Sequence, residues 1–282
     1  MSNRPAGHGA RSPVRPNYET GRQGPIRTFL RTADGIPIDS VYDPPPVVYD
    51  TLPDAPRTAS RDLVFVIAHG FTGDVDRPHV RRVSGVLRGY GAVVTFSFRG
   101  HGRSGGRSTV GDKEVLDLAA AVEWARGLGH ARVVTVGFSM GGSVVLRHAA
   151  LHGGTDAVVS VSAPARWYYR GTAPMRRLHW LVTRPEGRLV GRYGLRTRIH
   201  HRDWDPVPIS PVQAVPEIAP TPLLVVHGDR DGYFPLDHPR MLAEAAGGHA
   251  DLWVEPGMGH AEHAADDALM ARIGHWSVTA AG

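Results

Sequence analysis

Short runs of apolar and β-branched residues alternate along this chain with stretches whose apolar positions recur every three or four residues. The short runs are typical of buried strands, and the longer stretches are typical of helices packed on a sheet. Their alternation predicts the α/β class, with a mostly parallel central sheet and helices on both faces. The predicted strands are Ile26–Arg31, Pro37–Tyr42, Leu63–His69, Ala92–Phe98, Arg132–Phe138, Asp156–Ser162, Pro222–His227 and Asp251–Glu255.

The clearest helical pattern lies between Gly111 and Leu128, where apolar residues fall at intervals of three and four. We predict helices over Pro78–Arg88, Gly111–Leu128, Met140–Leu151, Leu236–Ala246 and Glu262–Val278. The first two strands flank the turn Ala33-Asp34-Gly35, which predicts an antiparallel hairpin at one edge of the sheet.

The pattern breaks between Ala163 and about Ile218. This stretch is too long for an ordinary loop, so we interpret it as a small, irregular cap inserted over one end of the sheet. The predicted organisation is a flexible tail (1–24), a first part of the core (25–163), the cap (164–218) and a second part of the core (219–282). The aromatic residues of the cap are Trp167, Tyr168, Tyr169, Trp180, Tyr193 and Trp204.

Positive charge is scattered along the chain and forms no binding stripe. The net charge is +5, and Lys113 is the only lysine beside 31 arginines, against 27 acidic residues. No basic run of five or more residues interleaves with aromatic side chains, so we expect no binding to nucleic acid.

The absence of cysteine, of long apolar runs and of a signal-like N-terminus bears on where the protein is located. Cysteine is absent, which excludes disulfides and thiolate metal sites. The longest apolar runs cover a handful of residues, whereas a membrane-spanning helix needs about 20, so we expect no transmembrane segment. The first residues are rich in Pro, Gly and Arg and lack the apolar stretch of a secretory signal, so we expect a cytoplasmic location.

Two segments match the pattern Gly-x-Ser-x-Gly, and their surroundings distinguish them. Gly102–Gly106 continues into a polar stretch typical of a loop. Gly137–Gly141 directly follows an apolar strand and runs into a predicted helix. A sharp strand-to-helix turn lifts a serine hydroxyl above the sheet and aims the helix N-terminus at it. Ser139 is therefore the predicted nucleophile, and Ser104 is interpreted as a structural loop serine.

A serine hydroxyl is a poor nucleophile until a base removes its proton and a third group orients that base. His260 follows the last predicted strand, and a loop at that position can reach the sheet edge that carries Ser139. Asp229 and Asp231 both follow the strand Pro222–His227, which places carboxylates at the same edge.

The oxyanion of an acyl-transfer intermediate needs preorganised backbone donors. We expect one donor to be the N–H of Met140, immediately after the predicted nucleophile. The second is expected to be the N–H of Phe71, in the loop after the strand Leu63–His69. His69 itself is interpreted as a structural residue that fixes this loop.

The chain carries five motifs in this order: His69-Gly70-Phe71, Arg99-Gly100-His101-Gly102-Arg103-Ser104, Gly137-Phe138-Ser139-Met140-Gly141-Gly142, His227-Gly228-x-x-Asp231-x-x-Phe234-Pro235 and Gly259-His260. Together they resemble the α/β-hydrolase superfamily and are most similar to its bacterial esterase and monoacylglycerol-lipase-like members. The resemblance covers roughly Ile26 to Ser277, apart from the insertion. One departure is Ser97, where the family usually carries a structural Asp.

This resemblance implies an activity, and it chooses between Asp229 and Asp231 as the acidic residue of the triad. Asp231 matches the family's acid, since it lies four residues before Pro235. The implied function is cleavage of a carboxylic ester by a Ser139–His260–Asp231 triad through an acyl-enzyme, with a small-molecule acyl substrate and no metal or organic cofactor. Trp167 and Trp180 are candidate substrate-binding residues in the cap.

Two alternatives stay open at this stage. The same triad supports thioester or amide hydrolysis, carbon–carbon cleavage and perhydrolysis, and a fold does not choose among these reactions. A non-catalytic ligand receptor is the second alternative, although such proteins normally lack a triad member. The sequence gives no indication of oligomeric state.

Overall fold

A computed structural model describes residues 24–46 and 60–282. The predicted flexible tail lies outside the described residues, apart from Gly24. Within the described residues, eight strands form one sheet in the spatial order β1-β2-β4-β3-β5-β6-β7-β8. The strands are β1 (Ile26–Arg31), β2 (Pro37–Asp43), β3 (Ser60–Ala68), β4 (Gly91–Phe96), β5 (Arg132–Phe138), β6 (Ala157–Val161), β7 (Leu223–Gly228) and β8 (Ala250–Glu255).

Pairing in the sheet is antiparallel at one edge and parallel elsewhere. β1 pairs with β2 and β2 with β4 in antiparallel register, whereas all pairs from β4–β3 to β7–β8 are parallel. The predicted fold class and the predicted edge hairpin are both confirmed.

Helices cover the two faces of this sheet. They are α1 (Pro78–Leu87), α2 (Glu114–Gly127), α3 (Met140–Leu151), α4 (Ala173–Thr183), α5 (Pro185–Gly194), α6 (Pro211–Ala214), α7 (Asp237–Ala245), α8 (Ala261–Ala264) and α9 (Asp267–Ala280), with a 3-10 helix at Val215–Ile218. None of the helices in the described part of the chain is long and apolar enough to span a membrane.

Alternation along β3 explains the layering. Val64 and Val66 pack into one buried cluster with residues of α2 and α3. Phe65 and Ile67, which point the other way, pack into a second cluster with residues of α1 and α9. Because successive side chains of a strand point to opposite faces, a continuous apolar run is what a strand covered on both sides requires.

Two helix predictions were wrong in part. The predicted helix at Gly111 begins instead at Glu114, because Gly111 has a φ of 104°, which a right-handed helix does not permit. The predicted helix Glu262–Val278 is two helices, α8 and α9. Ala265 between them is extended, and Asp266 starts α9 by accepting a hydrogen bond from the Leu269 N–H at 2.8 Å.

The stretch between β6 and β7 is also more regular than expected. It contains α4 and α5, which contact one another, followed by α6 and the 3-10 helix. The two longer helices bury only Met175, Gly187 and Gly191. Several of their apolar residues, among them Trp180, Leu189 and Val190, stay exposed.

Candidate active site

Ser139 occupies a strained turn between β5 and α3. Its φ of 52° and ψ of −114° lie outside the regions that a residue with a side chain normally adopts. The turn closes tightly, because a Cβ at Gly137 would overlap the carbonyl oxygen of Gly141, and a Cβ at Gly141 would overlap that of Ala68. The Ser139 N–H donates to the Val161 carbonyl oxygen at 2.8 Å, which holds this conformation against β6.

A continuous hydrogen-bonded chain connects three of the predicted residues. His260 Nε2 lies 2.9 Å from Ser139 Oγ, and His260 Nδ1 lies 2.7 Å from Asp231 Oδ2. The side chain of His260 is 17% exposed and that of Asp231 is fully buried. With Nδ1–H donating to the carboxylate, Nε2 is free to accept the hydroxyl proton of Ser139.

The carboxylate of Asp231 is held by several donors. Its Oδ1 accepts backbone N–H bonds from Tyr233 at 2.8 Å and from Phe234 at 3.1 Å. Burial alone would raise the pKa of this carboxyl. The hydrogen bond from His260, the charge of that histidine and the backbone donors outweigh burial and hold the pKa below its usual range. Asp231 is therefore ionised at neutral pH.

Asp229, two residues earlier, faces a different partner. Its Oδ1 accepts the N–H of Gly257 at 2.6 Å, and its side chain is exposed. This hydrogen bond braces the loop between β8 and α8. Of the two neighbouring carboxylates, the structure brings only Asp231 against His260.

The His260 loop is fastened to β6 and to the acid loop. Ala261 has a φ of 54°, and its N–H donates to Ser162 Oγ at 3.0 Å. The Arg230 N–H donates to the Met258 carbonyl oxygen at 3.0 Å. These bonds fix the position of His260 relative to Asp231.

The loop that carries Phe71 is fixed by His69, as expected. His69 Nδ1 donates to the Gly70 carbonyl oxygen at 2.7 Å, and its Nε2 accepts the Phe98 N–H at 3.0 Å. Burial lowers the pKa of His69 to about 3, so the ring is neutral and its one N–H is used in the loop. The second predicted donor, Met140, opens α3 directly after Ser139.

Ser104, in the other Gly-x-Ser-x-Gly segment, is fully buried, and its hydroxyl makes two hydrogen bonds. Its Oγ donates to the Ser97 carbonyl oxygen at 2.6 Å and accepts the Asp39 N–H at 2.9 Å. Ser97, where the superfamily usually has Asp, accepts the Val75 N–H on its Oγ at 3.1 Å. Both serines hold loops together.

Two residues near this chain of hydrogen bonds were missed in the sequence. The ring of Tyr233 stacks on His260, and His227 Nε2 donates to the Phe234 carbonyl oxygen at 2.8 Å, next to Asp231. Burial lowers the pKa of His227, which favours its neutral form. Both residues lie in the motif from His227 to Pro235. Their closeness in sequence to Asp231 is the feature from which they could have been predicted.

The two cap tryptophans lie in different surroundings. Trp167 is half-buried and donates from Nε1 to the Pro208 carbonyl oxygen at 2.9 Å. A Cβ at Gly111 would contact both the Trp167 ring and the Met140 side chain, so both side chains pack around Gly111. Trp180, on α4, is 47% exposed.

Comparison with known proteins gives consistent matches. Residues 63–272 match the model of the alpha/beta hydrolase family. A monoacylglycerol lipase from Mycolicibacterium smegmatis is 29% identical over 252 residues, a match that covers 76% of this chain and 85% of that protein.

Solved structures agree with this fold. An esterase from Pyrococcus furiosus superposes with a TM-score of 0.69 at 22% identity, covering 92% of this chain and 91% of the esterase. A serine hydrolase from Xanthomonas campestris, described as lacking a lid, has a TM-score of 0.58 at 20% identity, covering 95% and 96% of the two chains.

Proposed function

Because the chain belongs to the alpha/beta hydrolase family, we propose that it cleaves carboxylic esters through an acyl-enzyme formed on Ser139. The chain is an α/β-hydrolase, and its similarity to a monoacylglycerol lipase supports an activity of the esterase or lipase kind. The observation that carries the proposed mechanism is the hydrogen-bonded chain from Asp231 through His260 to Ser139.

In the first half of the proposed reaction, His260 Nε2 takes the proton of Ser139 while Oγ attacks the ester carbonyl carbon. The carbonyl oxygen becomes negative and is stabilised by the N–H groups of Phe71 and Met140. Asp231 stabilises the imidazolium that forms. His260 then gives its proton to the leaving alcohol as the carbon–oxygen bond breaks, which leaves an acylated Ser139.

The second half repeats these steps with water. His260 removes a proton from the water molecule, the resulting hydroxyl attacks the acyl carbon, and Ser139 Oγ recovers its proton as it leaves. The products are a carboxylic acid and an alcohol. His260 carries every proton transfer in this scheme. No atom changes oxidation state, so the scheme needs no redox partner.

We further propose that residues 164–218 act as a cap that selects the small-molecule acyl substrate. The cap segment follows β6 at the carboxyl edge of the parallel strands, the edge at which Ser139 lies and at which ligands bind in open α/β sheets. Trp167 and Met140 both pack around Gly111, which supports a role for Trp167 in acyl contact.

The test is hydrolysis of p-nitrophenyl esters from acetate to decanoate, together with labelling by a fluorophosphonate. We expect ester turnover and stoichiometric labelling, both abolished in S139A. Labelling without turnover of any ester would favour thioester, amide or other triad-dependent chemistry. An unlabelled, inactive protein would favour a ligand receptor.

A further inference from the structure

Three side chains with metal-binding atoms converge beside the proposed site, and none has a role in the proposed reaction. His79 lies in the first turn of α1, and Glu262 and His263 lie on α8, shortly after His260. One ligand atom from each of the three lies within 4.8 Å of those from the other two. The cluster therefore joins two elements far apart in the sequence.

The environment of the cluster indicates a missing partner for His79. Its Nε2 atom is buried and has no hydrogen-bond partner among the described residues. That atom lies 3.7 Å from Glu262 Oε1, beyond hydrogen-bond distance, and the Glu262 side chain is 3% exposed. The His263 ring lies over that of His79 with centroids 3.8 Å apart. Buried polar atoms normally have partners, and a cation between these groups would supply one.

We propose that His79, Glu262 and His263 bind a Zn²⁺ ion. Two imidazoles and one carboxylate form a ligand set that zinc favours, whereas Mg²⁺ and Ca²⁺ prefer oxygen ligands alone. Ligand atoms around tetrahedral zinc lie about 3.5 Å apart, so binding requires side-chain rotations that bring the three atoms together and unstack His263 from His79. His263 is exposed, which leaves a fourth position open to water.

The position of Glu262 links this site to the proposed catalytic machinery. Its Oε1 accepts the N–H of Gly70 at 3.0 Å, and Gly70 immediately precedes Phe71. Glu262 also follows His260 by two residues. The same oxygen lies 3.7 Å from His79 Nε2, so an ion bound between them would compete with the Gly70 N–H for Oε1. We therefore expect Zn²⁺ to lower the rate of ester hydrolysis, an effect that rests on the proposed function.

The binding test does not depend on activity. Metal-free full-length protein is titrated with Zn²⁺ in competition with a chromogenic zinc indicator. One ion should bind per chain, and H79A and H263A should each weaken its affinity ten-fold or more. H275A removes an exposed histidine of α9 and should leave the affinity unchanged. Since His263 is exposed, H263A keeps the test decisive even if H79A fails to fold.

Equal zinc affinity in the wild type, H263A and H275A would overturn the site, because binding would then be adventitious. Failure of the wild-type protein to bind Zn²⁺ would also overturn the proposed site. For the coupling, Zn²⁺ should reduce kcat of the wild type and of H275A, and H263A should resist it. Specific binding with unchanged kcat would contradict the coupling alone. A protein inactive on all esters would leave the binding result intact.

Discussion

The ring of Tyr233 lies over the imidazole of His260, with ring centroids 4.2 Å apart and an angle of 24° between the planes. The backbone of Tyr233 contacts two further parts of the structure. Its N–H donates to Asp231 Oδ1, and its carbonyl oxygen accepts a hydrogen bond from Thr172 Oγ1 at 2.9 Å, at the start of α4. Tyr233 thus joins the histidine, the acid loop and the segment between β6 and β7.

We expect Y233A to lower kcat more than it changes KM for short esters. A stacked aromatic face stabilises an adjacent cation by about 0.5 to 2 kcal/mol, so losing it should slow formation of the His260 imidazolium between about two-fold and thirty-fold. Y233F keeps the ring and should retain most of the activity. Steady-state kinetics on p-nitrophenyl acetate measures both variants. Equal losses in Y233A and Y233F would show that the hydroxyl matters and the stacking does not.

The second prediction compares the two Gly-x-Ser-x-Gly serines. S139A should abolish fluorophosphonate labelling and reduce ester turnover by about 10⁴ or more. S104A should keep both, because the Ser104 hydroxyl is used within the fold. S104A should instead lower stability by about 1 to 3 kcal/mol, since the Asp39 N–H and the Ser97 carbonyl oxygen lose their partner.

Labelling and turnover are measured on both serine variants beside urea unfolding. Ester hydrolysis at the wild-type rate in S139A would disprove the nucleophile assignment. Loss of labelling in a correctly folded S104A would contradict the structural role of that hydroxyl.

The third prediction separates the neighbouring carboxylates. D231N should reduce turnover by about 10³ to 10⁴, because an amide no longer favours the His260 tautomer that has its proton on Nδ1. D229N should cost far less, because the Asp229 carboxylate bonds to the backbone of the adjacent loop at Gly257. The measurement is kcat/KM for both variants on one short ester. A larger loss in D229N would identify Asp229 as the acid.

The sequence predicted the sheet well because buried strands carry a strong local signal. Val64, Phe65, Val66 and Ile67 form an uninterrupted apolar run, and both faces of β3 are covered. The turn at Ser139 was equally visible, because only very small residues fit at Gly137 and Gly141. Such features depend on a few adjacent residues.

Features that depend on distant contacts were harder to predict. The helices α4 and α5 bury few side chains, and apolar residues of α5 such as Leu189 and Val190 stay exposed. The break between α8 and α9 depends on the cap formed by Asp266. The cluster of His79 with Glu262 brings together residues that are far apart in the sequence. No local pattern marks these residues as neighbours.

The final prediction concerns the cap tryptophans and chain-length preference. Short esters need little beyond the nucleophile, base and oxyanion donors, whereas long acyl chains draw binding energy from apolar surface. Trp167 packs around Gly111 together with Met140, whereas Trp180 is half-exposed. W167A should therefore reduce kcat/KM for decanoate more than for acetate, and W180A should have the weaker chain-length effect. The Trp167 indole also bonds to the Pro208 carbonyl oxygen, so folding of W167A is checked first by circular dichroism and thermal unfolding. The measurement is kcat/KM from acetate to decanoate for both variants and the wild type. A uniform loss at every chain length in folded W167A would show that this residue packs the cap and does not select the acyl chain.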